Sequence, residues 1–295
     1  VKLIAFDAPA GARIGQVVGT QVRDLAPIDD FFADPDSYLD PDAVARAVEL
    51  SSLRLADLHQ VPPVPSTARI FCVGVNYPLH VMEAQEAGLG APEVPMIFGR
   101  WPSTLVADGD PVPVPPNEEG LDWEAELAVV IGKKTWCAKE EDALASVLGY
   151  TGFNDLSARK KQADTIQWTL GKNADRSGPI GPVVVTADEI GDSPSLEFCT
   201  RVNGELRQRA NTAEMVHSIA RVIAYISDTV TLMPGDVIAT GTSDGVGAAM
   251  KPPQFLRPGD VVEVEFESIG VLRTPIVGPD EFRPQAPGGV ARLSV

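Results

Sequence analysis

The sequence is short of the residues that carry most structural metal and disulfide chemistry. Its three cysteines, Cys72, Cys137 and Cys199, are far apart and odd in number. No CxxC pair occurs, so neither a zinc site nor a disulfide framework is expected, and a reducing, cytoplasmic location is the default. Only three histidines are present, His59, His80 and His217, which nearly excludes a His-rich metal site. No apolar run reaches the length of about 18 residues that a membrane span needs. The start, Val1-Lys-Leu-Ile-Ala-Phe6, meets Asp7 too soon to read as a signal peptide. Basic residues are also scarce: 24 Lys and Arg against 41 Asp and Glu give a formal net charge of −17. That balance disfavours nucleic acid and anionic membranes as partners. Spread along the chain without an acidic tail, it reads mainly as a solubility feature. The Walker Gly-Lys-Ser ending, the G-x-G-x-x-G turn and the G-x-S-x-G elbow are all missing, which argues against nucleotide binding and a standard serine hydrolase.

What is present points to a β-rich protein. The 295 residues suffice for one large domain, or a large and a small one. Twenty-six prolines and 26 glycines imply many turns. Short strands are expected at residues 2–7, 12–19 and 20–25, and a helix over 41–55. Pro62-Pro63-Val64-Pro65 is a stiff connector, so a small accessory α/β domain is expected over residues 1–65 and the larger domain over 66–295. In the larger part, strands are expected near 70–73, 95–98, 127–131, 149–155, 178–186, 237–240 and 261–267. A hairpin is expected around Asn203-Gly204. Pro78 can open a short helix, and further helices are expected over 139–149 and 212–227, the last with Asn211 or Thr212 as N-cap. No βαβ rhythm or internal repeat appears. A β-rich α+β fold follows, not a doubly wound sheet.

One stretch combines strand character with charge. Leu127-Ala-Val-Val-Ile131 is an apolar β-type run, yet Glu124 and Glu126 stand at its entry. Residues two apart on a strand share a face, so the two carboxylates project together. Asp155 ends a neighbouring apolar segment. Three carboxylates without Cys or His suit a hard cation such as Mg²⁺, Mn²⁺ or Ca²⁺; the alternative is ordinary carboxylates at solvated strand ends. His80 and Glu83, three apart, would share a helix face and form a proton shuttle, or a solvated surface pair. Lys172, before the rigid Gly178-Pro-Ile-Gly-Pro182, suits a substrate carboxylate, or is simply a surface lysine. The loop Gly241-Thr242-Ser243-Asp244-Gly245 invites close backbone approach.

The order of these pieces resembles the fumarylacetoacetate hydrolase family. The motifs are Gly74-Val-Asn-Tyr77 with His80 and Glu83, Asp122-Trp-Glu124-Ala-Glu126, Asn154-Asp155-Leu-Ser157-Ala-Arg159, Gly171-Lys172, Asn203-Gly-Glu205 with Gln208, and Pro234-Gly-Asp236 with Thr240-Gly241-Thr242. They run from about residue 68 to 277. The run Gln167-Trp-Thr-Leu-Gly-Lys172-Asn173 looks most like bacterial 2-hydroxyhepta-2,4-diene-1,7-dioate isomerase-like members. The resemblance implies a mixed β-roll, usually a homodimer, and Mg²⁺ or Mn²⁺ on Glu124, Glu126 and Asp155. It also implies a His80–Glu83 dyad on a lid, Lys172 near the substrate carboxylate, and substrate contacts from Gln208, Thr242, Gly241 and Arg159. Ser243, Lys160, Arg100 and Thr274 depart from the family's common residues, which bears on substrate choice and spares the metal ligands. The implied activity is isomerisation or tautomerisation of an unsaturated 2-oxo (2-hydroxy-dienoate) dicarboxylate in aromatic-compound catabolism, through a metal-stabilised enolate. Rival outcomes on the same site are C–C hydrolysis of the acylpyruvate or fumarylpyruvate type, and decarboxylation. A ligand-binding protein without turnover is the non-enzymatic rival.

Overall fold

In the computed structural model of the protein, residues 1–40, 52–86, 93–191 and 194–281 are described. The chain opens with a meander of β1 (Lys2–Phe6), β2 (Arg13–Val18) and β3 (Gln21–Pro27), as its turns and alternation predict. The helices α1 (Ile28–Ala33) and α2 (Pro35–Leu39) follow. β4 (Ser52–Arg54) then pairs with β3, bringing Leu53 opposite Val22. The end of the helix expected over 41–55 is therefore a strand, because Leu53 packs against the small cluster of Ile4, Phe6 and Val22. Residues 41–51 of that expectation lie outside the described residues. β5 (Gln60–Val61) pairs with β1 just before the proline connector.

β6 (Ile70–Gly74) leads to α3 (Pro78–Glu86) and returns as β7 (Met96–Arg100). The short strands β8 (Leu105–Val106), β9 (Val112–Pro113) and β10 (Leu121–Asp122) come next. β11 (Ala125–Ile131) and β12 (Val147–Asn154) form a long antiparallel pair. After β13 (Ser157–Ala158), α4 (Arg159–Ala163) and α5 (Thr169–Lys172) comes β14 (Gly178–Thr186). α6 (Ala187–Ile190) precedes the hairpin β15 (Glu197–Val202) and β16 (Glu205–Asn211). α7 (Ile219–Ser227), β17 (Val237–Thr242), β18 (Val261–Phe266) and β19 (Gly270–Val277) complete the order.

Two sheets carry the fold. The larger runs β4-β3-β2-β1-β14-β12-β11-β17-β6-β7, with β17 and β6 parallel. β1 lies antiparallel beside β14, so the amino-terminal strands continue this sheet. The second runs β16-β15-β18-β19-β9, and β10 pairs with β13 separately. This is the expected β-rich α+β architecture. Among the described residues, no helix is long and apolar enough to cross a membrane.

β11 lies at the centre because both of its faces are covered, which is why its sequence is a continuous apolar run. Leu127, Val129 and Ile131 pack with Val262, Val264 and Phe266 of the second sheet and with Ile219, Val222 and Ile226 of α7. Ala128 and Val130 face the other way, into a core with Phe31, Phe32, Cys72 and Phe153. Each large buried side chain contributes roughly 1.5–3 kcal/mol.

Of two expected helices one is replaced and the other begins later than expected. Over 139–149 there is one 3₁₀ turn, Ala143–Ser146, before β12 begins at Val147. Pairing with β11 captures that segment, setting Gly149 opposite Val130 and Tyr150 opposite Val129. Over 212–227, Asn211 caps only a 3₁₀ turn, Thr212–Glu214, and Ser218 caps the helix proper. Between them the backbone bends and is held by Asn76: Val216 N–H donates to the Asn76 carbonyl, and His217 N–H donates to Asn76 Oδ1. Met215 therefore lies outside the helix.

The β12–β14 contact supplies a stability test. A Cβ at Gly149 would lie 2.3 Å from the Val185 carbonyl oxygen, whereas one at Gly99 meets nothing within 4 Å. Gly149→Ala should lower stability by about 1–3 kcal/mol, and Gly99→Ala should change it by no more than about 0.5 kcal/mol. Urea unfolding midpoints of the two variants check this; equal midpoints would contradict the close packing.

Candidate active site

The end of the β11–β12 pair gathers the three acidic residues. Asp155 N–H donates to the Glu124 carbonyl at 2.9 Å, and Glu124 N–H donates to Asn154 Oδ1 at 3.0 Å. These bonds lock the entry of β11 to the exit of β12. Glu124, Glu126 and Asp155 each offer an oxygen, and these oxygens all lie within 4.8 Å of one another. All three residues are buried. They are therefore not solvated strand-end carboxylates.

Side-chain cations from three other segments meet them. Lys172, at the end of α5, places Nζ 2.6 Å from both Glu124 Oε2 and Asp155 Oδ2. Arg159, at the start of α4, reaches Glu124 Oε1 at 2.7 Å and Asp122 Oδ2 at 2.8 Å. Arg100, at the end of β7, donates from Nε to Asp155 Oδ1 at 2.8 Å. Its remaining nitrogens are held by Thr104, Ser177 and the Leu156 carbonyl. Lys172 is thus no surface lysine: it is 2 % exposed.

Glu126 differs from its neighbours. Among the described residues no side-chain cation bonds to it, and its Oε2 accepts only the Gly241 N–H at 2.9 Å. Burial, then Asp155 and Glu124, push its carboxyl well above the usual range. Burial also pushes Glu124 upward, but Lys172 and Arg159, with His80 adding to them, outweigh it and bring that carboxyl down to about 2. For Lys172 burial opposes the charge, while Asp155 and Glu124 more than restore it and raise the ammonium. A divalent cation fits this donor set. It has hard oxygen ligands, and it would supply the positive charge that Glu126 lacks.

His80 and Glu83 sit on α3 with Nδ1 and Oε2 2.9 Å apart. Glu83 Oε1 accepts the Gly245 N–H at 3.0 Å, which anchors the pair on the loop after β17. Residues 87–92, which follow α3, lie outside the described residues. Gln208 and Thr242 meet at 2.9 Å, through Nε2 and Oγ1.

Three further participants, Asp122, Gln162 and Arg100, were not expected in the site. Asp122 is fully buried, takes Arg159 Nε on one oxygen, and accepts the Gly247 and Ala248 N–H groups. Its place two residues before Glu124 was the available signal. Gln162 accepts from Arg159 Nη1 at 2.9 Å. Arg100 is visible in the sequence only as a departure from the family's lysine, with no hint of its partner.

The chain is similar to proteins of one family. The family profile described as fumarylacetoacetate (FAA) hydrolase C-terminal matches residues 69–277. The mitochondrial oxaloacetate tautomerase FAHD2B of Bos taurus is 38% identical over 291 residues, covering 94% of this chain and 92% of its own. A 2,4-didehydro-3-deoxy-L-rhamnonate hydrolase of Sphingomonas sp. (strain SKA58) is 38% identical over 258 residues, covering 86% of this chain and 87% of its own. The crystal structure of 2-hydroxyhepta-2,4-diene-1,7-dioate isomerase from Mycobacterium marinum superposes with a TM-score of 0.76 at 30% identity, covering 94% of this chain and 98% of that one.

The asymmetry of the triad is testable. Glu126→Gln keeps an acceptor for the Gly241 N–H while removing the one carboxyl of the three that, among the described residues, no side-chain cation meets. In chelator its thermal midpoint should equal or exceed that of the unaltered chain, and the stabilisation by Mn²⁺ should be lost. Equal Mn²⁺ stabilisation of both proteins would take Glu126 out of the site.

Proposed function

The chain belongs to the fumarylacetoacetate hydrolase family, and on that premise we propose that it is a divalent-metal-dependent isomerase or tautomerase of a 2-oxo dicarboxylate. The observation that carries this is the His80–Glu83 pair, held at 2.9 Å and anchored on the Gly245 N–H of the loop after β17, whose Thr242 lies opposite Glu126 of the triad. Glu124, Glu126 and Asp155 would hold Mg²⁺ or Mn²⁺. Bound there, the ion supplies a Lewis acid that stabilises negative charge on the 2-oxo oxygen.

The remaining work falls to the chain's own side chains. With Glu83 accepting at Nδ1, the imidazole keeps that proton and leaves Nε2 to carry the one that moves. In tautomerisation the enol oxygen loses its proton and C3 gains one, so composition is unchanged. His80 Nε2 delivers or removes the proton at C3. Lys172 and Arg159 are the cations for the substrate carboxylates. Arg159 Nη2 is buried without a hydrogen-bond partner among the described residues, a donor left for such a group. Oxaloacetate, named in the bovine relative, and a hydroxydienedioate, named in the Mycobacterium marinum structure, share the same 2-oxo (enol) acid head. The longer compound suits a place in aromatic-compound breakdown. The unpaired Cys72, Cys137 and Cys199 suit a reducing compartment such as the cytoplasm.

A second reading is C–C hydrolysis of the acylpyruvate type, favoured by the hydrolase activity named for the Sphingomonas relative. With Mg²⁺ present, enzymatic loss of the enol absorbance of oxaloacetate supports the first reading. Pyruvate release from an acylpyruvate supports the second, and turnover of neither rejects both. His80→Ala should lower kcat by roughly 100-fold or more while Mn²⁺ affinity stays within about twofold. A mild loss would exclude His80 as the proton carrier. The assembly is taken to be a homodimer, and a monomer mass in light scattering would exclude that.

A further inference from the structure

Gln208 belongs to β16, in the second sheet, yet its amide reaches the entry of β11. Ala125 N–H and the Thr200 hydroxyl donate to its Oε1 at 3.1 and 2.8 Å. Its Nε2 donates to Thr242 Oγ1 at 2.9 Å and to the Ser243 carbonyl at 3.0 Å, with the Asp244 carbonyl at 3.4 Å. The amide orientation follows from this set, since the Ala125 nitrogen can only donate and the Ser243 carbonyl can only accept. A primary amide has two donor hydrogens and an oxygen with two lone pairs. All of them are used, and the side chain is 2 % exposed. Nothing remains for a substrate.

Both ends of this amide touch the chemistry at one remove. Ala125 stands between Glu124 and Glu126. The loop on Nε2 runs on to Gly245, the donor to Glu83 Oε1. Gly245 has a φ of +89°, and a Cβ there would lie 2.4 Å from the carbonyl oxygen of Arg207, the residue before Gln208. The loop is thus pressed onto β16 where Gln208 is rooted.

We propose that Gln208 is a positioning residue and not a substrate contact: it fixes the loop 242–245 against the entry of β11 and so presents the Gly245 N–H that aligns Glu83 and His80. This rests on the roles given above to His80 and Glu83.

Gln208→Met keeps the length and removes the amide. Amide hydrogen exchange in peptides covering 242–245 and 78–86 should quicken about tenfold, with β14 unchanged. On whichever 2-oxo acid is turned over, kcat should fall about tenfold with KM within about twofold. In a Glu83→Gln background the same substitution should lower kcat no further. A raised KM with kcat intact, or an additive loss in the Glu83→Gln background, would overturn the proposal in favour of direct substrate contact. The exchange experiment needs no substrate, so it tests Gln208 even if the tautomerase reading fails; unchanged exchange at 242–245 also overturns the proposal. If Gln208→Met does not fold, Thr242→Val removes one Nε2 acceptor and should quicken exchange in the same two segments.

Discussion

Three carboxylates buried within 4.8 Å of one another set the terms for the rest of this molecule. At that spacing, with an effective dielectric near 20, each pair of like charges would repel by roughly 3.5 kcal/mol or more. The repulsion stands only if counter-charges are built in. Arg100, Arg159 and Lys172 provide them from the end of β7, the start of α4 and the end of α5. Each cation is itself costly to bury, so each is justified only by the carboxylates it meets. Site and topology are therefore one problem: the sheet has to bring the entry of β11 and the exit of β12 together and leave the Arg100 side chain of β7 within reach of them.

The sheet order solves it. β12, β11 and β17 are neighbours, so Asp155, Glu126 and Thr242 emerge at one end of a continuous hydrogen-bonded surface, while Arg100, whose backbone pairs with Ile70 toward the other end, reaches Asp155 with its long side chain. The apolar middle of β11, covered on both faces, keeps that end from shifting. A one-residue slip would turn the glutamates into the core packed on the second sheet and leave them without cations. Arg159 is held from behind as well. Asp122 takes its Nε, while Glu118 accepts the N–H groups of Lys160 and Lys161 and fixes the start of α4.

Much of this was legible in the sequence, and the failures have physical causes. The E-x-E spacing put Glu124 and Glu126 on one face, and the three-residue spacing put His80 against Glu83. Both depend on local periodicity alone. The helix expected over 139–149 failed, and the one expected over 212–227 was shortened to Ile219–Ser227, because distant partners took over the backbone: β11 claimed Val147 onward, and the loop at Asn76 claimed Val216 and His217. Arg100 stayed hidden for the same reason, since its carboxylate lies 55 residues away. Gln208 was placed among substrate contacts by resemblance, whereas its saturation by Ala125, Thr200 and the loop after β17 is a three-dimensional fact.

The charge balance also bears on what the site can accept. Asp122, Glu124, Glu126 and Asp155 face Arg100, Arg159 and Lys172, so the cluster is left one charge negative. A dicarboxylate would be repelled by such a site. A proton on Glu126, which burial and its neighbours favour, would only bring the cluster to neutrality. A divalent cation reverses the sign and turns the same cluster into an attractor for a dianion. A further lysine in its place could at most neutralise, with no open coordination positions for a 2-oxo acid. On the function proposed above, the lack of a side-chain cation at Glu126 among the described residues would make substrate binding conditional on the metal.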